Sequence, residues 1–170
     1  MVQSMMIRHA QPEDYERILE IYASARDFMK KNGNPRQWGD HWPPADVVAN
    51  DIKEQKSYVC LNDNGVPAAV FYFNFGEHCD STYDVIYDGS WLEDTAYGVV
   101  HRIASDGTVK GAGTACIQWA IEKAKHLRMD THGDNKVMQS LLNKLGFTCC
   151  GIIYVEEDND PRLAFEYIAK

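Results

Sequence analysis

The sequence predicts a mixed α/β (α+β) fold, a mostly antiparallel sheet with helices on both faces, and three observations carry that expectation. The run SYVCLNDNGVPAAVFYF is two strand-like segments meeting at NDNG, where Asn64 and Gly65 tolerate the positive φ of a tight hairpin turn. The segment from Tyr97 to Thr131 reads strand, helix, strand, so its two strands should run parallel with a right-handed crossover. TCCGIIYV and RLAFEYI close the chain as a second strand pair across EEDNDP.

The remaining elements follow in order. MMIRHA is a short strand, and Gln11, Pro12, Glu13 and Asp14 read as a helix start, with proline in the first turn and acids against the positive dipole end. Ile18, Tyr22, Ala25 and Met29 give that helix one apolar face, and Gly33 ends it. GNPRQWGDHWPP is a loop carrying two tryptophans, and PPADVVANDIKEQ is a second helix. After the hairpin, GEHCDSTYDVIYDGSWLEDTA is less regular, with one short strand expected at YDVIY. YGVVHRIAS is a strand feeding through DGTVK into a helix that begins near Gly113 and buries Ile117, Ala120, Ile121 and Ala124. LRMDT is the next strand. A last helix has Asp134 as its expected cap, Met138, Leu141, Leu142 and Leu145 as its apolar face, and Gly146 at its end.

Length and composition bound the function. A chain of 170 residues suits a single domain, 1–170, with a full core, and 45% hydrophobic with 25% charged residues is an ordinary globular balance. MVQSMMIRHA has no secretory apolar core and no segment approaches a membrane span, so a cytoplasmic protein with no membrane partner is expected. Five cysteines without a CxxC pair argue against a disulfide framework or structural zinc and read as reduced, buried thiols. A formal net charge of −8 disfavours nucleic acid and favours a cationic partner.

The densest signal is TVKGAGTACIQWAIEKAK, Thr108 to Lys125, a glycine turn opening an apolar helix. A helix start preceded by a side-chain-free turn is an anion site, because its first amides lack intrahelical partners. A Rossmann turn needs GxGxxG, and Gly111, Gly113 and Cys116 give GxGxxC, late in the chain. A P-loop needs Gly-Lys-Ser/Thr, but Lys110 precedes its glycine.

The order RIAS, KGAGTA opening a helix, a strand, then DNKVMQSLLNKLGF, with IRHAQPEDYERILEIY at the front, resembles the GCN5-related N-acetyltransferase (GNAT) superfamily from about Met5 to Ile168. That superfamily's signature here is Gln/Arg-x-x-Gly-x-Gly/Ala. The resemblance implies an acyl-CoA N-acyltransferase with acetyl-CoA as cosubstrate and no metal. The amides of Lys110, Gly111, Ala112, Gly113 and Thr114 would cradle the pyrophosphate, and the backbone of Ile103, Ala104 and Ser105 would pair with the pantetheine arm. Asn135 matches a position that touches the CoA arm. Two departures stand out: Thr108 occupies the first signature position, with Lys110 as a substitute contact, and Leu142 replaces a tyrosine that returns a proton to the departing thiolate.

Amide formation from a thioester needs a neutral amine, a stabilised oxyanion and a leaving thiolate. By the resemblance, transfer is direct, and a backbone amide near Ile103 to Ser105 is the oxyanion donor. His101, Asp130 and His132 are the candidate bases, since all three fall on the two parallel strands. Each has a plain structural alternative: the histidines as hydrogen-bonded core residues, Asp130 as the partner of Arg102 or Arg128. A metal set of Asp130, His132 and Asp134 is discounted because strand alternation spreads it. Trp38, Asp40, His41 and Trp42 in one loop, and Tyr83, Asp84, Tyr87, Asp88 and Trp91 in another, put aromatic faces beside carboxylates, which suits a primary amine, whether of a small molecule, a peptide amino terminus or a protein lysine. The alternative is that the tryptophans pin loops to the core.

Three functions compete. An acetyl-CoA-dependent N-acetyltransferase acting on a primary amine leads; a non-catalytic acyl-CoA sensor or binding module, suggested by Leu142, would bind without turnover; a nucleotide-binding protein would prefer ATP or NAD. Exposed edges on the final hairpin or the Phe-Tyr-Phe strand offer a homodimer surface, which the resemblance also implies.

Overall fold

The computed structural model describes residues 5–156 and 159–170, so MVQS and two residues of the EEDNDP turn lie outside the described residues. Seven strands, β1 (Ile7–His9), β2 (Ser57–Leu61), β3 (Pro67–Gly76), β4 (Tyr97–Ser105), β5 (His126–His132), β6 (Thr148–Tyr154) and β7 (Pro161–Ile168), are ordered β1-β2-β3-β4-β5-β7-β6. Among the described residues four α-helices accompany them: α1 (Tyr15–Lys31), α2 (Ala45–Lys53), α3 (Ala112–Ala124) and α4 (Lys136–Lys144). The parallel β4–β5 pair is present at Gly98 with Leu127 and Val99 with Arg128, and the assigned β1–β2, β2–β3, β5–β7 and β6–β7 ladders are antiparallel. The chain packs as two compact units, one holding residues up to Phe73 with His101–Trp119, the other Asn74–Val100 with Ala120–Lys170.

In the first unit, Pro12–Asp14 form a 3-10 turn leading into α1. Asp14 accepts from the Gln11 amide at 2.8 Å and from Arg8 at 2.7 and 3.1 Å, and the Arg8 bond holds its carboxyl below the usual range. Strand alternation then sorts the sheet faces. Val59 and Val70 join Ile18, Ile21, Tyr22 and Ala25 of α1 and Val48 and Ile52 of α2 in one cluster. Tyr58, Phe71 and Phe73 instead meet Trp119 of α3, with ring centroids 4.7, 5.5 and 5.3 Å away. Helices therefore cover both faces of the sheet in this unit. On α3, Cys116 joins Ile117, Ala120 and Ala124 in the buried stripe, while Ile121 is only half-buried.

In the second unit, β7 lies between β5 and β6, and Leu127, Met129, Ile153 and Phe165 are buried with Leu142 of α4. Three expectations are corrected here. YDVIY forms no strand: Tyr87 makes a single antiparallel bridge to Ile152. That approach is so close that a Cβ at Gly89 would lie 1.9 Å from the Cys150 carbonyl oxygen. The cap of α4 is Asn135, not Asp134; its Oδ1 accepts from the Met138 amide at 3.0 Å, so the helix starts one residue later. The Phe-Tyr-Phe strand offers no edge, because β3 sits inside the sheet between β2 and β4, whereas β6 of the final hairpin is an edge. The cysteines are all free thiols, but Cys149 is exposed rather than buried. No helix among the described residues is long and apolar enough to cross a membrane.

Candidate active site

β4 runs unbroken from Tyr97 to Ser105 but carries one irregular residue. Arg102 has φ 51°, a left-handed conformation inside a strand, which a side chain bearing a Cβ occupies only when its surroundings hold it there. Three contacts do so. Its carbonyl accepts from the Tyr22 hydroxyl at 2.8 Å. Its guanidinium makes a two-pronged pair with Asp51 at 2.9 and 3.0 Å, and lies 4.5 Å above the Tyr72 ring. Burial raises the Asp51 pKa, with Arg102 and His101 working against it. His101 itself stands 5.8 Å from the Tyr72 ring and is half-buried.

Beyond Arg102, Ile103, Ala104 and Ser105 lead into the glycine turn. Asp106 organises that turn: its carboxylate accepts from the Thr108 amide at 2.9 Å and hydroxyl at 2.6 Å, and pairs with Arg17. Burial pushes the Asp106 pKa up, but Thr108 and Arg17 together leave it below the usual value. The Ser105 hydroxyl accepts from the Gly107 amide at 3.1 Å. Thr108, the departure from the family signature, thus shapes the loop. Gly111 has φ 80°, a turn conformation that favours glycine, and α3 begins at Ala112. Lys110, Gly111, Ala112, Gly113 and Thr114 are contiguous across this helix start, as a phosphate cradle requires.

Gly113 differs from Gly111. Its φ is ordinary, and a Cβ there would meet nothing within 4 Å. The chain itself sets no demand for glycine at that place.

The two loop tryptophans separate. Trp38 is buried at 8% exposure, edge-on to Tyr22 at 5.7 Å, and belongs to the core cluster, as the alternative of a tryptophan pinning its loop to the core requires. Asp40 is exposed and ion-paired with Lys30 of α1. Trp42 alone lines a cavity of about 430 Å³, with Asp46, Asn50, Asp51, Glu54, Tyr72 and Arg102. Asp46, Asn50 and Glu54 repeat every fourth residue along one face of α2. Sequence reading missed Asp51, Tyr72 and the α2 carboxylates; the i, i+4, i+8 polar spacing was the available signal.

The second unit groups the other candidates. Asp130 accepts from the Tyr83 hydroxyl at 2.7 Å. Burial, then the Asp130 charge, drives the Tyr83 phenol well above its ordinary value, so it stays a donor. Trp91 donates from its indole to the Tyr83 carbonyl at 2.9 Å and stacks on Arg128 at 4.2 Å, lining a cavity of about 650 Å³ with Tyr83, Asp84, Glu93 and Asp94. His132 is 7% exposed; its Nδ1 accepts from the Asp134 amide at 3.1 Å, which places the proton on Nε2, 2.8 Å from Asp160. Asn135, expected on a CoA arm, carries the helix-capping bond described above. Leu142 is fully buried.

No protein-family model matches the chain, and no curated protein does. Solved structures do. An acetyltransferase of the GNAT family from Streptococcus agalactiae 2603 is 32% identical, with 99% of this chain and 97% of that one covered and a TM-score of 0.87. A GNAT-family acetyltransferase from Listeria monocytogenes 4b F2365 is 18% identical over 95% of this chain and 93% of its own, with a TM-score of 0.70. A GNAT-superfamily phosphinothricin acetyltransferase from Sinorhizobium meliloti, solved with AcCoA, is 13% identical over 98% and 90% at a TM-score of 0.66. The last two share the fold; the first, at its identity and coverage, carries more, and with it the chain belongs to the GNAT family of acetyltransferases.

Proposed function

We propose that this acyltransferase moves an acetyl group from acetyl-CoA to the primary amine of a small molecule by direct attack. The observation that carries the reading is Gly113. Glycine inside the first turn of a helix costs about 0.5–1 kcal/mol relative to alanine, and neither φ nor crowding calls for it here. A ligand phosphate approaching the backbone does. The amides of Lys110 to Thr114 would take the pyrophosphate, with the Lys110 ammonium adding charge, and Ile103 to Ser105 would pair with the pantetheine arm as an added strand.

The acceptor enters the cavity at Trp42. Its aromatic faces and the Asp46 and Glu54 carboxylates attract an ammonium, which must then lose a proton before it can attack. His101 is the base we favour: it adjoins the left-handed residue Arg102 on β4 and lies near enough to Asp51 to favour that carboxylate's charge. His101 takes the ammonium's proton; the new C–N bond then forms as the C–S bond breaks, and the second proton of the amine passes to solvent or to the departing thiolate, whose thiol has a pKa of about 8.5. Leu142 supplies no general acid.

Thermal unfolding with acetyl-CoA, CoA, ATP and NAD tests the reading. At about 100 times its dissociation constant a specific ligand stabilises by about 2.7 kcal/mol, on the order of 5–10 °C for this size. The shift is expected with acetyl-CoA and CoA alone, and should disappear in Gly113→Ala while the unliganded protein keeps or gains stability. Free thiol should then appear when amines are supplied. A larger shift with ATP or NAD, or an unaltered shift in Gly113→Ala, would sink it.

A further inference from the structure

We propose that Tyr22 is a positioning residue for the transfer: it grips the Arg102 carbonyl and thereby aims the Ile103 N–H at the place where the thioester oxygen gains its charge. The proposal rests on the acetyl-transfer reading for its kinetic consequence, but not for its geometry.

The Arg102 carbonyl and the Ile103 N–H belong to one planar trans peptide, so they point in opposite directions and turn together. Asp106 donates its amide to the Ala68 carbonyl on β3 at 3.0 Å. Strand alternation then directs Ala104 toward β3 and Ile103 away from it. Arg102 breaks the alternation. At φ 51° its carbonyl is taken by a phenol on α1, at 2.8 Å, from a residue 80 positions earlier. A carbonyl drawn toward α1 turns the Ile103 N–H to the opposite side, and accepting a hydrogen bond polarises the peptide so that the same N–H donates more strongly.

Tyr22 suits the task. It is 2% exposed and edge-on to buried Trp38, so its ring cannot wander, and burial raises its phenol pKa far enough to keep the proton at any working pH. Asp51 completes the hold from the side-chain end by fixing the Arg102 guanidinium through two bonds. Two restraints, one on its carbonyl and one on its guanidinium, hold one strained residue as a unit, immediately before the first amide expected to meet the thioester.

The test is Tyr22→Phe, which removes one oxygen from a packed ring, with Asp51→Asn as second variant. Each protein is measured for acetyl-CoA binding, for kcat and KM, and by NMR for the Ile103 amide without ligand. In Tyr22→Phe the Ile103 nitrogen shift should move while amides of α1 away from Tyr22 stay in place. A fall in kcat of about 10- to 100-fold is expected, with acetyl-CoA affinity within about twofold of the parent, since the glycine turn is untouched. Asp51→Asn should act in the same direction, and the double variant should be little worse than the more damaging single one. An unmoved Ile103 shift, or full kcat in folded Tyr22→Phe, overturns the proposal. If the parent protein neither binds acetyl-CoA nor releases thiol, the transfer reading falls, and the NMR arm still decides whether Tyr22 sets this peptide.

Discussion

Arg102 and Arg128 are built from the same parts, a guanidinium lying on an aromatic ring and paired with a buried carboxylate, yet they solve different problems. Arg128 extends from the regular strand β5, stacks against Trp91 and Tyr97 at 4.2 and 4.1 Å, and donates to Glu166 at 2.9 Å and to the Glu93 carbonyl at 2.7 Å. Glu166 is fully buried and also receives His126 at 2.7 Å and the Leu92 amide. These bonds tie β5 to its neighbour β7 and fasten the Leu92–Glu93 loop to both. Arg102 sits on a left-handed backbone, its partner Asp51 borders a cavity, and the pair holds a conformation the chain would otherwise leave. One pair stabilises an interior; the other maintains a shape. The difference teaches that the cost of breaking an ion pair depends on what it is holding.

Removing Glu166 should therefore be the most damaging change. Glu166→Ala strands Arg128 and His126 in the interior and is expected to cost about 3–5 kcal/mol, measured as a drop in urea midpoint. A loss below about 1 kcal/mol would erase the contrast. Asp51→Asn should cost less, about 1–3 kcal/mol, because Arg102 keeps its ring and access to the cavity. Its acetyl-CoA-induced thermal shift should persist; a lost shift would mean that the pair holds the cofactor loop as well.

The smallest effect separates two carboxylates of one unit. Asp51 has a raised pKa, so between the unfolded value near 3.9 and its higher folded value the native state binds more protons, and stability falls as pH rises through that window. Asp106 has a lowered pKa, so its contribution is present above about 3.9 and is lost as pH falls through its lower folded value. Denaturation curves from pH 3 to 7 should lose the first slope in Asp51→Asn and the second in Asp106→Asn. Identical slopes in parent and variants would contradict both assignments.

The hairpin, the parallel pair and the glycine turn were legible because each is written in neighbouring residues: NDNG, an apolar stripe of helical spacing, KGAG. What was not legible depends on distant partners. Nothing in YGVVHRIAS marks Arg102 as left-handed, since the residues that hold it lie 51 and 80 positions away. Trp38 and Trp42 are equivalent in sequence, and only the packing of Tyr22 buries the first. Asp134 and Asn135 are both good caps, so the choice between them rests on one residue of helix phase. His132 looked available as a base until Asp160, 28 positions on, met its Nε2.

The parting of the tryptophans also gives the molecule an optical label. Of its four indoles, Trp38 is immersed in a core, Trp91 is capped by a guanidinium and Trp119 is packed among aromatic rings. Trp42 is half-buried at the mouth of the cavity beside Asp51 and Tyr72. A cation arriving there changes the field around one emitter, so acceptor binding becomes visible as a shift in intrinsic fluorescence that a Trp42→Phe protein lacks.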